Sequence, residues 1–210
     1  MKILGFSSGG IGHEGNVDHM VKAIIEKSDG EGEFVKLTEL NYSGCKGCVQ
    51  LCAKPQVCRL DDDLLPYYQK IKDADAVVVG TPVYFNTLNG AAASFIERFF
   101  GYRHVTSAIK GNPFVLVVCG SMRTAATAKE CRRRLHKFRV NILGVLEYVS
   151  SSPPCLTCGR HRECHIGGLY EIRGKSACSM AITPDLFHRW AHDTDIVKAV
   201  EAIATKLREL

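Results

Sequence analysis

The chain has 210 residues, 46% of them hydrophobic and 23% charged, an ordinary globular balance that supplies a core and fits one domain. A net charge of +5, without a helix-turn-helix, zinc-finger or aromatic-studded basic sheet pattern, argues against nucleic acid as a partner. No apolar run is long enough to span a bilayer, and "MKILGFSS" passes straight into a glycine turn. That is a first strand and not a signal peptide, so the expected compartment is the cytoplasm, where thiols stay reduced.

Lys2 to Phe6 opens the chain as a strand, and Val17 to Lys27 follows as a helix. A second strand is expected at Glu33 to Leu37, then an irregular stretch, Asn41 to Asp63, and a helix from Leu64 to Lys72. Asp61, Asp62 and Asp63 look like a helix-start cluster. Asp75 to Gly80 and Pro113 to Cys119 are nearly continuous apolar runs, as in strands covered on both faces. Between and after them come helices at Asn89 to Phe100 and Thr124 to Phe138, the second carrying the basic run "ECRRRLHKFR". That run reads as a solvated helix face or as a docking patch for an acidic partner or a phosphate-bearing ligand. A fifth strand at Gly144 to Val149 precedes a second irregular stretch, Ser150 to Pro184. The last helix has Ile196, Val200, Ile203 and Leu207 on one stripe, with Asp193 or Thr194 as its cap. Five alternations of strand and helix predict an α/β doubly wound parallel sheet in the flavodoxin-like order, with ligands at the carboxyl ends of the strands.

Three loops fall on that edge. "SSGGIGHEGNV", Ser7 to Val17, offers hydroxyls, glycines and a helix N-terminus, a cradle for a phosphate. Gly10, Gly12 and Gly15 also spell G-x-G-x-x-G. They start several residues after the strand, and Glu39 stands too late to meet a ribose, which counts against a dinucleotide site. "GTPVYFNTLNG", Gly80 to Gly90, offers flat apolar faces beside hydrogen-bonding side chains, a mixture suited to a planar heterocycle. "CGSMRT", Cys119 to Thr124, completes the set.

Of the ten cysteines, Cys45, Cys48, Cys52 and Cys58 form C-x2-C-x3-C-x5-C in the first irregular stretch. In a reducing compartment such a group binds metal or does redox chemistry, and four thiolates satisfy zinc's tetrahedral preference. Cys155, Cys158 and Cys164, with His165 adjacent and Cys178 further on, form a second group that holds zinc, an iron–sulfur cluster or nothing at all. Cys119 and Cys131 read as small packing residues.

The opening loop, "GTPVYFNTLNGAAASFIERF" and the position of the first cysteine group resemble the iron–sulfur flavoproteins within the NADPH-dependent FMN reductase family of flavodoxin-like proteins. The resemblance implies FMN, with Ser7, Ser8, Gly9, Gly10 and Asn16 holding the phosphate. Pro82, Val83, Tyr84, Phe85 and Asn86 would line the ring, and Gly120 and Ser121 would complete its far side. It implies a 4Fe–4S cluster on the first cysteine group. The family's Gly-Ser-Pro-Arg opening is replaced by Ser8, Gly9, Gly10 and Ile11, so its arginine is lost, with His13 as a substitute charge or a solvated turn residue. The expected function is an electron-transfer flavoprotein, passing electrons between ferredoxin or NAD(P)H and an unidentified acceptor as a homodimer or homotetramer. The alternatives are an NAD(P)H-dependent FMN, quinone or nitro reductase with structural zinc, and a non-catalytic metal-binding module.

Overall fold

The computed structural model describes residues 1–210. Its strands are β1 (Lys2–Ser7), β2 (Glu31–Lys36), β3 (Ala76–Tyr84), β4 (Thr87–Leu88), β5 (Pro113–Gly120) and β6 (Asn141–Val149). Five run parallel in the order β2-β1-β3-β5-β6, and the two-residue β4 folds back antiparallel on β3. This is the expected flavodoxin-like order with one extra strand. Thr87–Leu88 is too short to leave a period in the sequence.

Strand β3 sits in the middle and shows why the sheet is covered twice. Val77 and Val79 enter a core shared with α3 (Tyr67–Asp73), α4 (Gly90–Arg98) and α5 (Thr124–His136). Ala76 and Val78 enter the opposite core, under α1 (Asn16–Lys27) and α8 (Thr194–Arg208). Side chains alternate across a strand, so an unbroken apolar run is what a two-faced strand needs. Each large aliphatic side chain buried there is worth roughly 1.5–3 kcal/mol.

Boundaries differ from the expected ones for local reasons. Leu37 leaves the second strand and opens a 3-10 turn. The third helix starts at Tyr67 and not at Leu64, with Pro66 as its N-cap. The acidic run before it therefore does not start a helix: Asp62 pairs with Arg98, and Asp63 accepts from the Asn41 N–H at 2.6 Å. Asp193, not Thr194, caps α8, accepting from the N–H groups of Asp195 at 3.0 Å and Ile196 at 3.2 Å.

The two irregular stretches contain only short helices, α2 (Val49–Cys52) in the first, α6 (Cys155–Cys158) and α7 (Gly168–Arg173) in the second. The second stretch has its own small core of Leu156, Leu169 and Ala177. No helix is long and apolar enough to cross a membrane.

Candidate functional site

Strands β1, β3 and β5 are neighbours, and their register sets Ser7 beside Gly80 and Pro82 beside Cys119. The three loops therefore leave one edge of the sheet side by side, at its topological switch point. They are also tied together. Ser8 Oγ donates to the Gly80 carbonyl at 3.1 Å, and Asn89 Nδ2 donates to the Ser8 carbonyl at 2.7 Å while its Oδ1 caps α4. A Cβ on Gly120 would meet Val83 Cβ at 2.7 Å, so the third loop presses directly on the second.

The first loop is built on a buried ion pair that the sequence did not announce. Asp18, fully buried in the first turn of α1, accepts from the Gly15 N–H at 2.8 Å and from Lys36 Nζ at 3.3 Å, and its Oδ1 has no partner. Lys36, also buried, donates to the His13 carbonyl as well. Backbone at Gly9 packs so tightly on Asp18 that a Cβ there would sit 2.6 Å from Oδ2. Thr38 Oγ1 donates to the Gly9 carbonyl at 2.7 Å. Asn16, expected at the phosphate, uses its side chain elsewhere: Nδ2 donates to the His188 carbonyl at 3.1 Å, and Oδ1 accepts from the Trp190 N–H at 3.0 Å.

In the second loop β3 turns into β4 through Phe85 (φ 48) and Asn86 (φ 67). Both are left-handed, the geometry of a two-residue hairpin turn that favours Asn-Gly. Glu130 on α5 accepts from Thr87 Oγ1 and from Arg134, bonds that hold its carboxyl below the usual range and pin the hairpin. Phe85 is fully exposed and Tyr84 about half exposed. Ile11, Met122 and Val149 are exposed too, just past or at the ends of β1, β5 and β6. These large apolar side chains are left in water on the loops and strand ends at the carboxyl edge, where ligands of such sheets bind.

Phe85→Gly should raise chemical stability by about 1 kcal/mol, because a left-handed β-carbon is costly. If the flavin ring that the sequence resemblance implies lies against this turn, the change should also weaken FMN binding by about tenfold, the worth of one aromatic contact. Urea unfolding and a flavin titration read the two effects, and an unchanged affinity would remove Phe85 from the ring's surroundings.

All ten cysteines are free. The first group lies over the C-terminal end of α4. Burial raises the Cys52 thiol, and the charges of nearby Cys48, Cys58 and Cys45 raise it further. Nitrogen atoms stand against three of the four sulfurs. Arg98 Nε donates to Cys58 Sγ at 3.1 Å, and His104 Nε2 lies 3.1 Å from Cys52 Sγ. The Gly47 N–H donates to Cys45 Sγ at 3.4 Å. Arg98 is itself buried, bonded to both oxygens of Asp62 and to the Ser43 carbonyl. Burial works against its charge, but the bonds to Asp62 and Cys58 outweigh that and hold it protonated. No three thiols or other donors close on a single point as ligands of one ion do. Four thiols, three of them with a nitrogen within hydrogen-bond reach of the sulfur, nevertheless form a donor set that suits an iron–sulfur cluster.

In the second group, Cys155 and Cys164 put their sulfurs 2.9 and 3.1 Å from where a Gly167 Cβ would be, so both face one small volume. Cys119 and Cys131 are buried, and burial pushes each thiol up to about 12. They are packing residues.

The sequence profile of the family described as NADPH-dependent FMN reductase matches residues 1–157. An iron–sulfur flavoprotein of Archaeoglobus fulgidus is 31% identical over 99 residues, 47% of this chain and 48% of that one. One from Methanosarcina thermophila is 26% identical over 133 residues, covering 61% of this chain and 68% of that one. The chain spans about half the length of the first of these relatives. In structure, an azoreductase of Bacillus anthracis superposes with a TM-score of 0.57 at 9% identity, covering 100% of this chain and 99% of that one. A flavodoxin from the domain Archaea superposes with a TM-score of 0.50 at 9% identity, covering 99% of each chain. At such identities they speak for the fold. With its three loops on the carboxyl edge of a flavodoxin-like sheet and three quarters of its length matched, the chain belongs to the NADPH-dependent FMN reductase family.

Proposed function

We propose that the protein is an electron-transfer flavoprotein that carries FMN on the carboxyl edge and a 4Fe–4S cluster on Cys45, Cys48, Cys52 and Cys58. The observation that carries the reading is the exposed apolar edge of Ile11, Tyr84, Phe85 and Met122, laid beside a glycine loop that ends on a helix N-terminus. The backbone of Ser8, Gly9, Gly10 and Asn16, with Ser7, would take the phosphate, with His13 in the same loop as the substitute for the family's lost arginine. Pro82 to Asn86, with Gly120 and Ser121, would border the ring. FMN supplies two-electron chemistry and a cluster one-electron chemistry; the protein's part is to position and tune them.

Two features bear on partners. Arg103, Arg133, Lys137 and the Glu130-paired Arg134 line a cleft of about 330 Å³ that also includes Cys45 and one acid, Glu97. Such a basic cleft beside the thiols favours an acidic protein donor such as ferredoxin, steered by charge, over NAD(P)H. Within one chain, α4 lies between the loops and the cysteines, about 14 Å of helix from end to end. Exposed Val49, Leu51 and Val105 surround the first cysteine group. A homodimer or homotetramer in which this apolar patch meets another copy's apolar edge would shorten the path.

The test is composition. Anaerobically purified protein should show flavin bands over a broad absorbance near 400 nm, with about four irons from the first group per chain. Flavin with zinc and no iron would favour the NAD(P)H-dependent reductase, and no flavin would end both readings.

A further inference from the structure

We propose a second thiolate-ligated metal centre in residues 155–178, with Cys155, Cys158, Cys164 and Cys178 as its ligands. The family match ends at residue 157, so three of these four lie outside it.

Four observations converge. First, the sulfurs of Cys155 and Cys164 face the same small volume at Gly167, where only the absence of a side chain leaves them room. The Leu169 N–H donates to Cys155 Sγ at 3.4 Å, the kind of bond that steadies a coordinating thiolate.

Second, His161 is buried, and its Nε2–H donates to the Met180 carbonyl at 2.8 Å. That bond pins the Cys158–Cys164 loop beside the chain that carries Cys178. Ala177, fully buried against Leu156 and Leu169 in the core on which Cys155 also packs, fixes the same chain from the other side.

Third, Nδ1 of His161 is buried without a hydrogen-bond partner. With the other ring nitrogen on a carbonyl, this lone pair is an unmet acceptor inside the cysteine-bearing segment, and such a group calls for a water, an ion or another partner.

Fourth, the segment's own core has three buried residues. That is far less than an autonomous unit of this size needs, and small units of this kind are ordinarily closed by metal.

The ligand chemistry is soft thiolate, which takes either one zinc ion or an iron–sulfur cluster. The experiment separates these from each other and from the first group. Cys48→Ala is made in the full chain to empty the first group. Iron, zinc, sulfide and FMN are then measured on protein purified without oxygen. The expected result is residual metal, about one zinc or about four irons with sulfide per chain, lost when Cys155→Ser and Cys164→Ser are added. Zinc identifies a single ion and iron with sulfide identifies a cluster. A metal-free Cys48→Ala chain that still binds FMN overturns the proposal, whatever the first group holds. Metal kept by Cys178→Ser and lost by His161→Gln would overturn this ligand set in favour of three thiolates and an imidazole.

A second measurement needs no substitution. Stripping metal from the unmodified protein with ferricyanide and EDTA should speed tryptic cleavage at Arg160, Arg162, Arg173 and Lys175 by about tenfold or more, because cleavage tracks the open population. Unchanged cleavage would count against the centre.

Discussion

Cys48→Ala should lower iron by about four atoms per chain relative to the parent, with the corresponding loss near 400 nm, while FMN stays at one per chain. The two halves of this result rest on different parts of the structure. Cys48 is the N-cap of the one-turn helix α2 and stands outside the main core, which includes Cys58 but not Cys48. Its removal takes away a ligand and leaves the packing alone. The loops that would hold FMN lie at the other end of α4, tied to one another through Ser8, Gly80 and Asn89. Nothing in that set of bonds involves a cysteine of the first group. If FMN leaves together with the iron, the two sites are not separable and the assignment of one to each end of α4 fails. Metal and flavin analysis of the same preparation decides it.

Arg98→Leu should be the most damaging single change in the molecule. The guanidinium is 1% exposed, and it bonds to both oxygens of Asp62, to the Ser43 carbonyl and to Cys58 Sγ. Removing it strands a carboxylate that is only 15% exposed, and breaking a buried pair in this way costs about 3–5 kcal/mol. For a chain of this size that is a fall in Tm of roughly 10 °C, measurable by thermal unfolding. Arg98→Lys keeps the charge but not the fork, so it should recover only part of the loss. A second readout follows from the sulfur contact. Losing a hydrogen bond to Cys58 should lower the reduction potential of a centre ligated there. A Tm within a degree or two of the parent would show that the Asp62–Arg98 pair does not hold the cysteine loop in place.

Much of the architecture was readable because two-faced strands and amphipathic helices leave periods. "AVVVG" and "FVLVVC" state their burial outright, and Ile196, Val200, Ile203 and Leu207 trace one face of α8. The three loops were readable because glycine, proline and hydroxyl residues cluster after strands. What stayed hidden were charges that the fold takes inside. Lys36 ends a strand and Arg98 ends a helix, where long cations ordinarily reach water, and only the tertiary packing shows that each is buried against an aspartate far away in sequence. Asp62 was lost in a run of three acids, of which only it meets Arg98. His161 was passed over for His165 because adjacency to Cys164 is visible in sequence and a bond to the Met180 carbonyl is not. Phe85 was legible as a flat face, but not as a residue held left-handed at the tip of a hairpin.

The two bonds that the Asn16 side chain makes to His188 and Trp190 join the end of the Ser7 to Val17 loop to the stretch that follows the second cysteine group. A single amide thereby stitches together two parts of the chain that the sequence keeps 172 residues apart. Loosening of the later stretch would release both of the bonds that hold the Asn16 side chain at the first turn of α1. The fluorescence of a flavin seated on that loop would then serve as a gauge of whether the distant stretch is fastened or loose.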